Sequence, residues 1–166
     1  MSRPAPRQLS RQVALQVLYA VDLRGEPSEP SRLEAFDAVA ANFELPEGAR
    51  AFAKELVDGV MGRRAELDAV IAEHARNWRL SRMAAVDRNV LRLATYELVA
   101  TGTPTSVVLD QAIELARRFG DDPSPGFVNG VLDAVAHSAR PDDRGKLVAS
   151  ADSAGGDLPL PPGEDL

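Results

Sequence analysis

The residue types that carry most protein chemistry are sparse in this chain, and their spacing decides what they can do. The two histidines, His74 and His137, have no second histidine at ligand spacing, and cysteine is absent altogether. A thiolate zinc site, an iron–sulfur cluster, a disulfide framework and a cysteine nucleophile are thereby excluded. Ser124 stands in a Pro-Ser-Pro-Gly stretch rather than at a strand–turn–helix elbow, so a capping hydroxyl describes it better than a nucleophile. Asp121 and Asp122 are neighbours in a loop, and adjacent loop residues do not face one another across a substrate as an acid–base pair must. No P-loop and no strand-borne GxGxxG pattern occurs. These patterns point away from catalysis, from metals and from bound cofactors.

Binding is the chemistry that remains. Arg3, Arg7 and Arg11 fall at i, i+4 and i+8, which puts Arg7 and Arg11 on one helix face with Arg3 on the arm before it. Such a row is either a solvated face or a short ridge for phosphates, with guanidinium groups that also stack on bases. Phe119 and Phe127 flank the polar loop from Gly120 to Gly126, in a chain with five Phe, two Tyr and one Trp. Val128, Val131, Leu132 and Val135 serve the apolar stripe of the following helix better than Phe127 does. Spacing alone favours packing of Phe127 against Phe119; stacking on an unpaired base is the alternative. If Phe127 stacks on a base, Phe127→Ala should weaken that contact and leave thermal stability nearly unchanged. Tyr19 and Asp87 are polar-tipped residues on otherwise apolar helices, as at a partner interface or an ordinary surface.

The elements that position these residues read as helix throughout. The chain has 166 residues, 45% of them hydrophobic, enough for one ordinary folded body. Val13, Val17, Ala20 and Val21 recur at helical spacing between about Arg7 and Leu23, and Gly25, Pro27 and Pro30 close that segment. Ser31 followed by Glu34 predicts a capping box opening a short helix to about Phe43. Phe52, Leu56 and Val60, then Leu67, Val70 and Ile71, predict one bent helix or two short ones around Gly59 and Gly62. Ser81 is the expected cap of a segment whose apolar residues, Met83 to Leu98, cover more than half its circumference, as in a central buried helix. Thr103-Pro104 and Ser124-Pro125 predict two further starts, with helices running to about Phe119 and Ala139 and Gly120 as a C-cap. Strand and hairpin signals are absent. The expected fold class is all-α, with six or seven helices and short connections.

Charge divides the chain further. The net charge is −6, from 19 Lys and Arg against 25 Asp and Glu, which argues against a phosphate-rich partner. Yet residues 1–20 carry +3, residues 141–166 carry −4, and the body between them −5. The last segment is rich in proline, glycine and acids, so 141–166 is expected to be a disordered acidic tail after a folded domain at 7–140 and a flexible basic arm at 1–6. The N-terminus has no signal-peptide pattern and no apolar run is long enough to span a bilayer, so a cytoplasmic location without membrane contact is expected.

Four stretches carry a resemblance. Arg11–Asp22 (RQVALQVLYAVD) resembles the first helix of the NusB family of bacterial transcription antitermination factors. Val86–Leu98 (VDRNVLRLATYEL) resembles its central helix, and Gln111–Gly120 (QAIELARRFG) with Phe127–Val135 (FVNGVLDAV) its C-terminal helix pair. They stand in family order over roughly residues 7–136. The resemblance implies a compact fold of about seven helices in two packed bundles, without enzymatic activity. It implies binding to the boxA element of ribosomal-RNA leader transcripts together with NusE, a small-subunit ribosomal protein, within the RNA polymerase antitermination complex. By position, Arg3, Arg7 and Arg11 would meet RNA backbone. Phe119, Asp122, Ser124, Phe127 and Asn129 would meet bases, and Tyr19 and Asp87 would lie on the NusE-facing side. Some relatives dimerise when free, so a homodimer is a further implied state. The rival readings are a NusB-like domain of an RNA cytosine methyltransferase and a helical module that binds only protein. An acidic body with few arginines is expected to bind RNA with a shallow salt dependence and to need a basic partner.

Overall fold

A computed structural model describes residues 6–25 and 29–138. Arg3, the rest of the arm before Pro6 and the acidic tail lie outside the described residues. Among the described residues there are seven α-helices: α1 Pro6–Arg24, α2 Glu29–Ala40, α3 Glu47–Gly62, α4 Arg64–His74, α5 Ala85–Ala100, α6 Thr105–Phe119 and α7 Ser124–Ser138, with one 3-10 turn at Leu80–Arg82. No strand occurs among the described residues. The chain divides into two units, the first ending at Gly62 and the second starting at Arg63.

In the first unit α1 packs on both α2 and α3. Val13, Ala14, Leu15, Val17, Leu18 and Val21 of α1 are buried, as are Phe36 of α2 and Phe52, Leu56 and Val60 of α3. Pro6 is the first helical residue of α1, where a missing N–H breaks no helical hydrogen bond. Ser10 Oγ donates to the Ala49 carbonyl at 2.7 Å and ties α1 to α3. Gly25 has φ +89°, a left-handed conformation that ends α1 and that a side chain would strain. The capping box expected at Ser31 does not form. The helix starts two residues earlier, at Glu29, and leaves Ser31 inside its first turn.

The second unit is built around α5. Val90, Leu91, Leu93 and Ala94 are buried, and so are Asn89, Arg92, Thr95 and Glu97, so polar residues share the core of this central helix. Arg92 explains how one charge is accommodated: Nε donates to Asp68 Oδ1 at 2.7 Å and Nη2 to Oδ2 at 3.0 Å. This paired fork fastens α5 to α4. The α6–α7 hairpin packs on α5, and α4 contacts both α5 and α7. The boundary between α3 and α4 falls at Gly62 and Arg63, so the two-helix alternative holds.

Two expected caps are reassigned. Ser81 sits within the 3-10 turn, and α5 starts after Ala84 with no side-chain cap. Thr103 does not open α6, whose N-cap is Pro104. Its hydroxyl instead lies 2.8 Å from that of Thr101, which donates to the Glu97 carbonyl and closes the end of α5. A hydroxyl before a helical pattern predicts a start at both positions; the Thr103 hydroxyl instead meets Thr101, and Ser81 lies inside the turn.

Candidate nucleic-acid interface

The arginine face of α1 belongs to the first unit. Arg7 is exposed and its guanidinium carbon stands 4.1 Å from the centre of the Phe52 ring. Arg11 lies 5.7 Å from the same ring centre, but only 4% of it is exposed. The i, i+4 spacing thus brings both arginines to one aromatic on α3. Within about 6 Å of a ring centroid such cations gain roughly 0.5–2 kcal/mol, and the ring fixes their aim. Arg7 keeps its outer edge in solvent, whereas Arg11 is a packed residue. Phe52 was legible only as a core position; its role under the arginines depends on how α3 crosses α1.

Tyr19 also lies in this unit and is 38% exposed. Leu23, one turn further along α1, is 62% exposed, and Leu33 of α2 is also exposed. Exposed apolar residues this large fit a protein contact better than an RNA contact.

The second unit holds the α6–α7 loop. Phe119 is half-buried, and Arg118 places its guanidinium carbon 5.6 Å from the Phe119 ring centre. Asp122 and Asn129 are exposed. Phe127 is not: its side chain is fully buried, together with Val128, Val131, Leu132 and Val135 of the same helix. It belongs to the stripe rather than standing beside it, so it stacks on no base in this conformation. Burial this complete predicts a loss of stability for Phe127→Ala in place of the expected neutrality.

Ser124 is fully buried as well. The Asp121 N–H donates to its Oγ at 3.1 Å, and the Ser124 N–H donates to the Asp121 carbonyl at 2.9 Å. This reciprocal pair resembles the reach-back half of a capping box, with the serine hydroxyl consumed by the loop and turned away from any ligand. Gly120 closes α6 with φ −98°, an ordinary extended value, so conformational freedom does not explain it. A Cβ there would stand 2.7 Å from the Ala116 carbonyl oxygen and 2.7 Å from Ser124 Oγ. Close approach of the two helices requires the glycine.

Asp87 is also placed differently from expectation. It is fully buried, and neither carboxylate oxygen has a hydrogen-bond partner. Burial raises its pKa above the ordinary carboxylate value; the nearby Ser124 hydroxyl opposes the shift without reaching hydrogen-bond geometry, and the charge of Asp121 adds to it. Asp87 thus faces the base of the loop and offers no atom to a partner surface.

The histidines behave as ordinary helix residues. Nδ1 of His74 lies 2.8 Å from the Val70 carbonyl and Nδ1 of His137 2.8 Å from that of Asp133. No cluster able to hold a metal occurs among the described residues. No described helix is long and apolar enough to cross a membrane.

These features define an all-helical protein whose candidate surfaces are an arginine face, an exposed apolar strip and a tightly built interhelical loop. Comparison with known proteins is decisive at this point. The NusB family model matches residues 8–137. A transcription antitermination protein NusB from Solibacter usitatus is 47% identical over 131 residues, covering 79% of this chain and 88% of the relative. The structure of NusB from T. maritima superposes with a TM-score of 0.74 at 30% identity, covering 87% of this chain and 98% of the other. A crystal structure of the antitermination factors NusB and NusE in complex with double-stranded RNA superposes at 0.70 with 32% identity, covering 81% and 98%. The chain belongs to the NusB family.

Proposed function

We propose that this protein is a transcription antitermination factor that binds the boxA element of ribosomal-RNA leader transcripts as a heterodimer with NusE, and that it acts by binding, without catalysis, in the RNA polymerase antitermination complex. The observation that carries this reading is the likeness, over nearly the whole of the other chain, to a NusB solved with NusE and RNA. The same reading places the protein in the cytoplasm.

The division of labour follows from exposure. Arg7, aimed by Phe52, is the phosphate contact on α1, with Arg3 ahead of it on the arm. Arg11 supports that face from within. At the loop, the accessible groups are Asp122, Asn129 and the Arg118–Phe119 pair, while Ser124, Phe127 and Asp87 hold the loop in shape. Tyr19 and Leu23 are the NusE-facing candidates.

A mobility-shift titration with boxA-containing RNA and an unrelated RNA of equal length, each with NusE present, tests the reading. Preferential retention of the boxA RNA is expected. Equal retention of the two would remove the boxA assignment, and no retention of either would leave a protein-only module.

A further inference from the structure

A further basic cluster lies in the second unit, in the segment that joins α4 to α5. From Ala75 to Val86 the chain carries Arg76, Arg79 and Arg82 and no acid, a local charge of +3 within an acidic protein. The one tryptophan of the chain, Trp78, stands among them. Asn77, Trp78, Arg79 and Arg82 line an open depression of about 290 Å³. Asn77, Arg79 and Arg82 are exposed and Trp78 is half-buried. Among the described residues neither Arg79 nor Arg82 has an ion-pair partner, whereas the exposed Arg50 and Arg117 pair with Asp37 and Glu114. The nearest acids along the chain are Glu73, half-buried, and Asp87, fully buried.

The segment is also held in shape. The Trp78 N–H donates to the Ala75 carbonyl at 2.9 Å, and the Arg82 and Met83 N–H groups close the 3-10 turn onto Arg79 and Leu80 at 3.0 and 3.1 Å. Arg88, from the first turns of α5, donates through Nη1 to the carbonyls of Leu80 and Met83 at 2.8 and 3.1 Å. One arginine is thus committed to bracing the turn from which two others project. A braced turn presents its charges with less ordering entropy to lose on binding than a loose loop would.

We propose that residues 77–82 form a second contact for single-stranded nucleic acid, with Arg79 and Arg82 on phosphates and an unpaired base against Trp78. The inference rests on the RNA-binding reading given above and adds a site to it. Guanidinium groups match phosphate oxygens in a paired geometry, and a half-exposed indole offers a π-face that every base can use. An acidic protein surface would engage the arginines but leave the indole idle, so RNA is the ligand that uses all three side chains. The site also supplies positive charge that the net balance of the chain conceals.

The single tryptophan makes the test direct. The full-length protein, with Arg79→Gln/Arg82→Gln as the variant, is titrated into fluorescein-labelled boxA RNA, with anisotropy reporting binding and tryptophan emission reporting the site. Wild type should bind with quenched Trp78 emission. The double variant should bind roughly tenfold more weakly, and its salt slope should be shallower by about 1.4, for two phosphate contacts on a single strand. Both replaced side chains are exposed, so the variant's melting temperature should match wild type. If RNA binds with equal affinity and slope to both proteins, the second contact is refuted while the function stands. If the variant loses affinity for NusE alone, the patch belongs to a protein interface and the proposal fails. If wild type binds no RNA even with NusE present, the RNA-binding reading fails and this proposal with it.

Discussion

The arginine face of α1 and the α6–α7 loop looked alike as candidates: each combines polar side chains with phenylalanine, and each was assigned to RNA. They differ in which way the side chains leave the backbone. On α1 the aromatic lies beneath and the arginine outside, so Arg7 stays accessible while Phe52 fixes it. At the loop the aromatic Phe127, the hydroxyl of Ser124 and the carboxyl of Asp87 all point inward, and the accessible groups are Asp122, Asn129 and the Arg118–Phe119 pair. A polar loop between two helices is therefore a structural joint before it is a binding surface. Its residues must satisfy one another when the helices approach as closely as Gly120 requires.

The comparison can be broken most forcefully at Phe127. Phe127→Ala should lower stability by about 3–5 kcal/mol, because a fully buried ring is replaced by a cavity. In a thermal melt this corresponds to a fall of roughly 10 °C or more. An unchanged melting temperature with weakened RNA binding would restore the base-stacking role. Gly120→Ala comes next, at about 1–3 kcal/mol, because the added methyl meets the Ala116 carbonyl oxygen and Ser124. Denaturant titration reads this directly, and a neutral result would mean that the joint has slack.

Asp87 sharpens the contrast through pH. Its folded pKa lies above its unfolded value near 3.8, so the folded state favours the protonated acid. Its contribution to stability is fully present below the unfolded pKa and is lost as pH rises through the folded pKa. Asp87→Asn should remove that component. The difference in melting temperature between variant and wild type should then grow in the variant's favour from acid toward neutral pH. Parallel curves would place the carboxyl in a solvated setting. Arg7→Gln is the mildest change: stability should fall by about 0.5–1 kcal/mol, the loss of an exposed cation–π contact with Phe52. The salt slope for RNA should fall by about 0.7, one phosphate contact on a single strand. A large loss of stability would place Arg7 with Arg11 as packing.

The same contrast explains what could be read from the sequence. Helical periodicity located most of the helical segments and left α3 and α4 as one bent helix or two, and the breadth of the apolar face from Met83 to Leu98 marked α5 as central, because burial of a stripe is written in spacing. Caps were less legible. Ser31, Ser81 and Thr103 each precede a helical pattern, yet which backbone group a hydroxyl meets depends on a turn of one or two residues. The candidate site was legible in residue type and not in direction. Phe127 and Asp87 face inward because of how α7 and α5 are rotated in the second unit, and no local pattern encodes that rotation. Trp78 with Arg79 and Arg82 was passed over because it follows no helical period; only the braced turn makes it a surface.

An acidic helical protein of net charge −6 should hold RNA poorly by itself and well beside a basic partner. The most direct measurement is the affinity for fluorescein-labelled boxA RNA at one fixed salt concentration, taken with and without saturating NusE. The account predicts weak binding by the protein alone and a gain of at least about tenfold when NusE is present, equivalent to 1.4 kcal/mol of coupling. Equal affinity in the two titrations would contradict it.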